Sequence, residues 1–212
     1  MIRNVHRYLC IAVLSLFNVA LNPAAQGASG PLGIDRRLPY DDSGIWNRNV
    51  QYGVLGAMIL SEGAIALYEG GDSRLGKTAW KAIDSTLVGG ASVALLKFAF
   101  RRERPEDTEN PNRWFKDSND SSFPSGEVTL TTAIVTPFIL EYRRDYPWVY
   151  ALELLPVYDA IARLKTQGHW QSDVLAGFAL GTLVGYQMHK SDVPITLNAL
   201  PHGFYAGFKK QW

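Results

Sequence analysis

The chain has 212 residues, 47% hydrophobic and 12% aromatic, which suits one domain with a sizeable core and excludes a disordered or low-complexity chain. Lysine and arginine number 21 against 20 aspartate and glutamate, a formal net charge of +1. No overall basic field therefore points to nucleic acid as a partner, and any anion site has to be local.

At the N-terminus, Arg3 and Arg7 precede the apolar run Leu9 to Leu21, which is followed by Asn22-Pro23 and the small residues Ala24 to Ser29. This is the layout of a secretory signal, so residues 1–27 are expected to be removed on export to a bacterial periplasm, with cleavage near Gly27 or Ala28. Asn18, Asn22 and Pro23 cut the run short of the roughly 20 apolar residues that a membrane anchor needs. Removal takes away two arginines and no acid, so the formal charge of +1 becomes −1. Cys10, the only cysteine, lies in this segment, which leaves residues 28–212 without thiol chemistry or a disulfide. His169, His189 and His202 remain, with no helical histidine pair of the kind that binds zinc.

Residues 29–50, punctuated by Pro31, Pro39, Asp41, Asp42 and Gly44, read as an extended lead-in. Apolar positions at three- and four-residue steps predict a helix over Tyr52 to Tyr68, ended by Gly70-Gly71, and a longer one over Leu75 to Arg101 that Pro105 prevents from continuing. Residues 106–123 form a polar loop around Trp114 and Phe115, long for a plain connection. These aromatics and Phe123 could meet a lipid chain, although loop aromatics more often anchor the loop to the core. Helices are then predicted over Gly126 to Tyr142, Pro147 to Leu164, and from near His169 to about Met188. The last carries Gly177, Gly181 and Gly185 as a smooth seam for a neighbouring helix. Beyond Pro194 the pattern reads as one or two short strands or an ordered tail. The longest uncharged apolar run after the leader, Val174 to Met188, falls short of a membrane span. An all-α, single-domain, soluble helical bundle is expected.

Three segments carry chemistry. In the first, Lys97 near a helix end and Arg104-Pro105 just beyond can aim an ammonium and a guanidinium at one oxyanion, although a basic helix C-terminus is also favoured by the macrodipole alone. Arg101 and Arg102 are left on that simpler account. In the second, Phe123-Pro124-Ser125-Gly126-Glu127 leads into a helix whose free N–H groups, with the Ser125 hydroxyl, suit a phosphate; an ordinary N-cap explains Ser125 equally well. In the third, Arg163 is followed by His169 and Asp173. If the helix begins near His169, the two share a face, and the carboxylate can hold one ring nitrogen while the other acts as a nucleophile.

Together and in this order, the segments resemble the phosphatidic acid phosphatase type 2 superfamily, which includes bacterial acid phosphatases and vanadium haloperoxidases. Its pattern is Lys, six residues, Arg-Pro; Pro-Ser-Gly-His; then Ser-Arg, five residues, His, three residues, Asp. Lys97, Arg104 and Pro105, then Pro124, Ser125 and Gly126, then Arg163, His169 and Asp173 match it over about residues 85–188. Two positions depart: Ala162 replaces the serine, and Glu127 replaces the second histidine, the proton donor to the leaving group.

The resemblance implies an all-helical fold and a phosphatase that hydrolyses a phosphomonoester or pyrophosphate, lipid-linked or small, through a phosphohistidine on His169. Asp173 would orient the ring, while Lys97, Arg104, Arg163, Ser125 and the Gly126 N–H hold the equatorial oxygens. It implies no metal and no cofactor. The partners are a phosphorylated lipid, with peripheral membrane contact, or a small-molecule substrate, and no nucleic acid. A haloperoxidase and a phosphate-binding protein that has lost catalysis are the competing readings. With reference pKa values of about 6.5 for histidine and 4.3 for glutamate, three nearby cations are expected to keep Glu127 ionised at neutral pH. That predicts weak activity with an acidic optimum, biased toward good leaving groups, and a gain at neutral pH for Glu127→His.

Overall fold

The computed structural model describes residues 29–116, 121–191 and 194. The expected leader, its Cys10, and the strands or tail expected over 195–212 lie outside the described residues. Five α-helices make the body: α1 (Arg48–Glu69), α2 (Arg74–Phe100), α3 (Gly126–Tyr142), α4 (Leu154–Lys165) and α5 (Gln171–Lys190). Short 3-10 helices at Gly44–Trp46 and Pro147–Glu153 lead into α1 and α4, so the single helix expected over Pro147 to Leu164 is two elements in sequence. Among the described residues there is no strand, only one isolated bridge between Ser29 and Asp35, and the fold is all-α.

The largest helix contact is α3 against α5, and it depends on the glycine seam. A Cβ on Gly177 would stand 2.8 Å from the Ser125 carbonyl oxygen, one on Gly181 2.7 Å from Thr132 Cβ, and one on Gly185 2.6 Å from Thr136 Cβ. Facing them, α3 is buried along most of its length despite its threonines. Thr129 and Thr136 satisfy their hydroxyls on the carbonyls of Ser125 and Thr132, both at 2.7 Å, so these two buried hydroxyls cost little. Val128, Ala160, Leu164 and Val174, from α3, α4 and α5, form a buried cluster on which the upper ends of these helices rest.

Helices α1 and α2 differ from the expectation of a soluble bundle. Both are long and apolar enough to cross a membrane, with a mean hydropathy of 1.4 over their most apolar windows, of which only 17% and 22% is buried. The polar side chains point inward and the apolar ones outward. α1 buries Gln51 and Glu62, whose carboxylate accepts from the Thr86 hydroxyl at 2.9 Å, while Ile59, Leu60, Leu67 and Tyr68 are exposed. α2 buries Asp84 and Ser85 and exposes Leu87, Leu95 and Phe98. An uninterrupted-run criterion rejects both helices because Glu62, Lys81 and Asp84 break the runs. Glu62 and Asp84 are interior, and the Lys81 ammonium turns in to the His189 carbonyl at 2.8 Å, so the outer faces stay apolar.

Candidate active site

One end of the bundle brings together the start of α1, the end of α2, the start of α3, the end of α4 and the turn before α5. A cavity of about 470 Å³ opens there, lined among others by Arg48, Lys97, Arg104, Gly126, Glu127, Arg163 and His169. Residues far apart in sequence thus converge as the three motif segments require.

His169 is 3% exposed and lies in the turn two residues before α5, not on the helix. Its Nδ1 is 2.6 Å from the Ser122 carbonyl oxygen and 4.0 Å from Asp173 Oδ2. A carbonyl only accepts, so Nδ1 carries the hydrogen and Nε2 keeps its lone pair. The ring is therefore held by Ser122, and the expected Asp173 hydrogen bond to it is absent. The physical reason is the helix start: Trp170 is the N-cap, and Asp173 is drawn into the capping box, accepting from the Trp170 N–H at 2.9 Å. Burial, with Arg104 and Lys97 adding repulsion, pushes the His169 pKa well below its usual value. The imidazole is neutral, as a nucleophile needs to be.

Asp173 also meets Arg102, and here a second expectation changes. Arg102 is fully buried, not a solvated helix end. It bridges Asp173 at 2.5 Å and Asp35 at 2.6 Å, and its guanidinium lies 4.4 Å from the Trp114 ring centroid. Asp35, from the lead-in, accepts in turn from the Ser172 N–H at 2.8 Å. The first turn of α5 is thereby clamped to the lead-in and the polar loop. Trp114, Phe100 and Phe123 pack edge to face with centroids 5.2 to 6.0 Å apart, the anchoring role open to loop aromatics.

The candidate anion-binding groups are positioned by local structure. Lys97, in the last turn of α2, donates to the Ser121 carbonyl. Arg104 donates to the Gly168 carbonyl at 2.7 Å. The Arg163 guanidinium lies over Gly168, where a Cβ would come within 2.6 Å of Cζ, so this glycine makes room for the cation. Ser125 is the N-cap of α3, yet its hydroxyl makes no capping bond and is buried without a partner. A buried hydroxyl without a protein partner keeps its hydrogen for another acceptor, and an oxyanion at this helix start would be one.

Glu127, in the first turn of α3, is 3.5 Å from both Arg48 Nη1 and Arg163 Nε. Burial nevertheless outweighs Arg48, Arg104 and Lys97 and raises its pKa. The shift is thus upward where the cations alone would move it downward, because sequence counts charges without seeing the desolvation.

Arg48 lines the cavity and Asp159 is buried next to Glu127, and neither belongs to the motifs. Arg48 stands in the first turn of α1, where a cation opposes the helix dipole, and that misfit is the only signal the sequence offers. Asp159 lies four residues before Arg163, one turn away on α4. Tyr40 and Tyr52 complete the rim. Among the described residues, no group of three or more His, Cys, Asp or Glu is arranged to hold a metal ion.

The family model of the PAP2 superfamily matches residues 78–194, more than half of the chain and all three segments. The chain belongs to the PAP2 superfamily. Within it, the chain is 37% identical over 106 residues to a lipid A 1-phosphatase of Porphyromonas gingivalis, an alignment covering 49% of this chain and 21% of that protein. No solved structure matches the chain. The matched range holds all three segments, and the helix ends that carry them meet at one cavity.

Proposed function

We propose that the protein hydrolyses a phosphate ester carried by a lipid, through in-line transfer of the phosphoryl group to His169 Nε2 and release by water. What carries this reading is a neutral, buried imidazole with Nδ1 pinned to Ser122, at a cavity lined by Lys97, Arg104, Arg163 and Arg48. The cations and the Ser125 hydroxyl would hold the equatorial oxygens as charge redistributes, worth several kcal/mol in the transition state. Glu127 would protonate the leaving oxygen. Asp173, through Trp170 and Arg102, would hold the turn that presents the imidazole, and does so without touching the ring. These groups supply the charge compensation that a metal supplies elsewhere, so turnover is expected to survive a chelator.

The lipid class rests on the outer faces of α1 and α2. At 1.5 Å per residue, 22 and 27 residues measure roughly 33 and 40 Å, enough for a hydrocarbon core of about 30 Å. Arg48 and Lys97 stand at one end of this apolar belt, with Glu69 and Arg74 at the other. The cavity therefore opens where a bilayer's polar boundary would lie, level with a lipid phosphate. Resemblance to the lipid A 1-phosphatase supports the same class. The leader-like N-terminus further supports export, with the site on the far side of the inner membrane.

Purified protein would be offered phosphatidic acid, lipid A, an isoprenyl pyrophosphate and a sugar phosphate in mixed micelles, with and without vanadate. Phosphate release from a lipid, inhibited by vanadate, is expected; release from the sugar phosphate alone would remove the lipid assignment, and release from none would remove the hydrolase.

A further inference from the structure

Asp159 is 2% exposed on α4 and lies outside the three motif segments. Its carboxyl interacts with that of Glu127 so as to raise the Asp159 pKa and lower that of Glu127, which makes Asp159 the donor of the pair. Two ionised carboxylates only accept, so this contact needs a proton on one of them. Glu127 Oε2 and Asp159 Oδ2 are both buried without a hydrogen-bond donor among the described residues, Arg163 Nε at 3.5 Å from Glu127 Oε2 making an ion pair only. The surroundings are lopsided. Arg48 and Arg163 flank Glu127, with Lys97 and Arg104 acting on it at longer range. Asp159 feels Arg48 alone among the cations, and its neighbour Tyr158 turns its hydroxyl away to the Ile45 carbonyl at 2.5 Å. The other titratable groups at the cavity are His169, which is neutral, Glu106 at 49% side-chain exposure, and the rim tyrosines Tyr40 and Tyr52.

We propose that Glu127 and Asp159 form a proton-sharing carboxyl pair, in which Asp159 is a positioning residue that keeps one proton on the pair for Glu127 to deliver to the leaving group. The inference rests on the hydrolase reading and assigns how the position without a histidine is still supplied with an acid. Burial and the adjacent Glu127 charge both raise the Asp159 pKa well above its usual value, in keeping with the pair holding a proton. In the first half-reaction the N–P bond forms at His169 Nε2. The bond from phosphorus to the leaving oxygen breaks with its electron pair on that oxygen, and the Glu127 proton goes to the same atom. Both carboxyls are then ionised, facing Arg48 and Arg163. In the second half, water gives one proton to Glu127 as its oxygen bonds phosphorus. The N–P electron pair returns to Nε2, and the pair again shares one proton.

The test compares wild type, Asp159→Asn and Glu127→Gln, each shown to be folded by its melting temperature. An asparagine at 159 can still donate to Glu127 but holds no proton to share, so Glu127 by itself ionises at a lower pH than that at which the pair gives up its last proton. The basic limb of the pH profile of kcat/KM for an alkyl phosphate is expected to move down by about one unit or more. That is at least a tenfold loss on that limb, with a much smaller change for p-nitrophenyl phosphate, whose leaving group needs little protonation. A merely structural role would lower both substrates together and leave the limb in place. Infrared spectroscopy at neutral pH gives a readout without turnover: the carbonyl stretch of one protonated carboxyl is expected in wild type and missing in Asp159→Asn. An unmoved limb overturns the proposal whatever the infrared result. If wild type hydrolyses neither ester, the hydrolase reading fails by itself, and the infrared band decides the pair: lost in Asp159→Asn supports it, retained overturns it.

Discussion

At His169 and Glu127 the fold has moved two ionisations in opposite directions. Free histidine titrates near 6.5 and free glutamate near 4.3, so in water there is almost no pH at which an imidazole is neutral while a carboxyl is protonated. Burial depresses the His169 pKa and raises that of Glu127, and both shifts work toward such a window. Activity is therefore expected to rise as pH passes the depressed His169 value and to fall as it passes the raised Glu127 value, a bell measured as kcat/KM against pH. Glu127→Gln should cost alkyl esters about 10² to 10⁴-fold, the usual range of general acid catalysis, with aryl esters nearly spared. His169→Ala should abolish the acid-labile phosphoenzyme and turnover while vanadate still binds; full activity in that variant would sink the mechanism. The raised carboxyls also carry a stability term. Asp159 and Glu127 have folded values above their unfolded ones, so their contribution is fully present below about pH 4 and is lost as pH rises through the folded values. Asp159→Asn removes a penalty of about 1.4 kcal/mol per unit of elevation, and its melting temperature should exceed wild type at pH 7 but not at pH 4.

Among the elements, the motif spacings made Lys97, Arg104, Ser125, Gly126, Arg163 and His169 legible, since each segment sits at a helix end whose position the sequence marks with a proline or a glycine. Helix registers were less legible. Starting α5 two residues after His169 moves that ring off the helix and gives Asp173 to the N-cap, a difference that spacing alone cannot show. Arg48 and Asp159 escaped because their place beside Glu127 arises from which helices meet in space. The glycine seam, in contrast, was readable because close helix contact requires small residues at a constant step. Gly181→Ala should push α3 and α5 apart, and overpacking of this kind costs typically 1 to 3 kcal/mol, measurable as a lower denaturant midpoint. Gly168→Ala should act differently, since a Cβ there meets the movable Arg163 guanidinium. Weaker vanadate binding with stability nearly unchanged is expected, and a variant that loses stability but binds vanadate normally would show that Arg163 is not a ligand.

Over the whole molecule, the question that hydropathy could not answer is which face of a helix looks outward. The composition of α1 and α2 is compatible with a soluble core helix, and only the fold reveals that Glu62 and Asp84 look in while Leu60, Leu67, Leu95 and Phe98 look out. Those four are 66% to 81% exposed, and water-facing apolar patches of this extent are rare on soluble monomers. Full burial of a leucine or phenylalanine is worth about 1.5 to 3 kcal/mol, so the four together supply several kcal/mol toward a bilayer even after partial exposure is discounted. Replacing them with glutamine or serine leaves the interior hydrogen bonds of Glu62 and the glycine seam untouched, and the fold should survive. The quadruple variant is expected to move from the membrane fraction to the soluble one. Its hydrolysis of a short-chain, water-soluble phosphate ester should stay near wild type, while hydrolysis of long-chain substrate presented in vesicles falls at least tenfold. Unchanged partitioning, or an equal loss on both substrates, would mean that these faces do not meet lipid and that the cavity is not placed at a bilayer's edge.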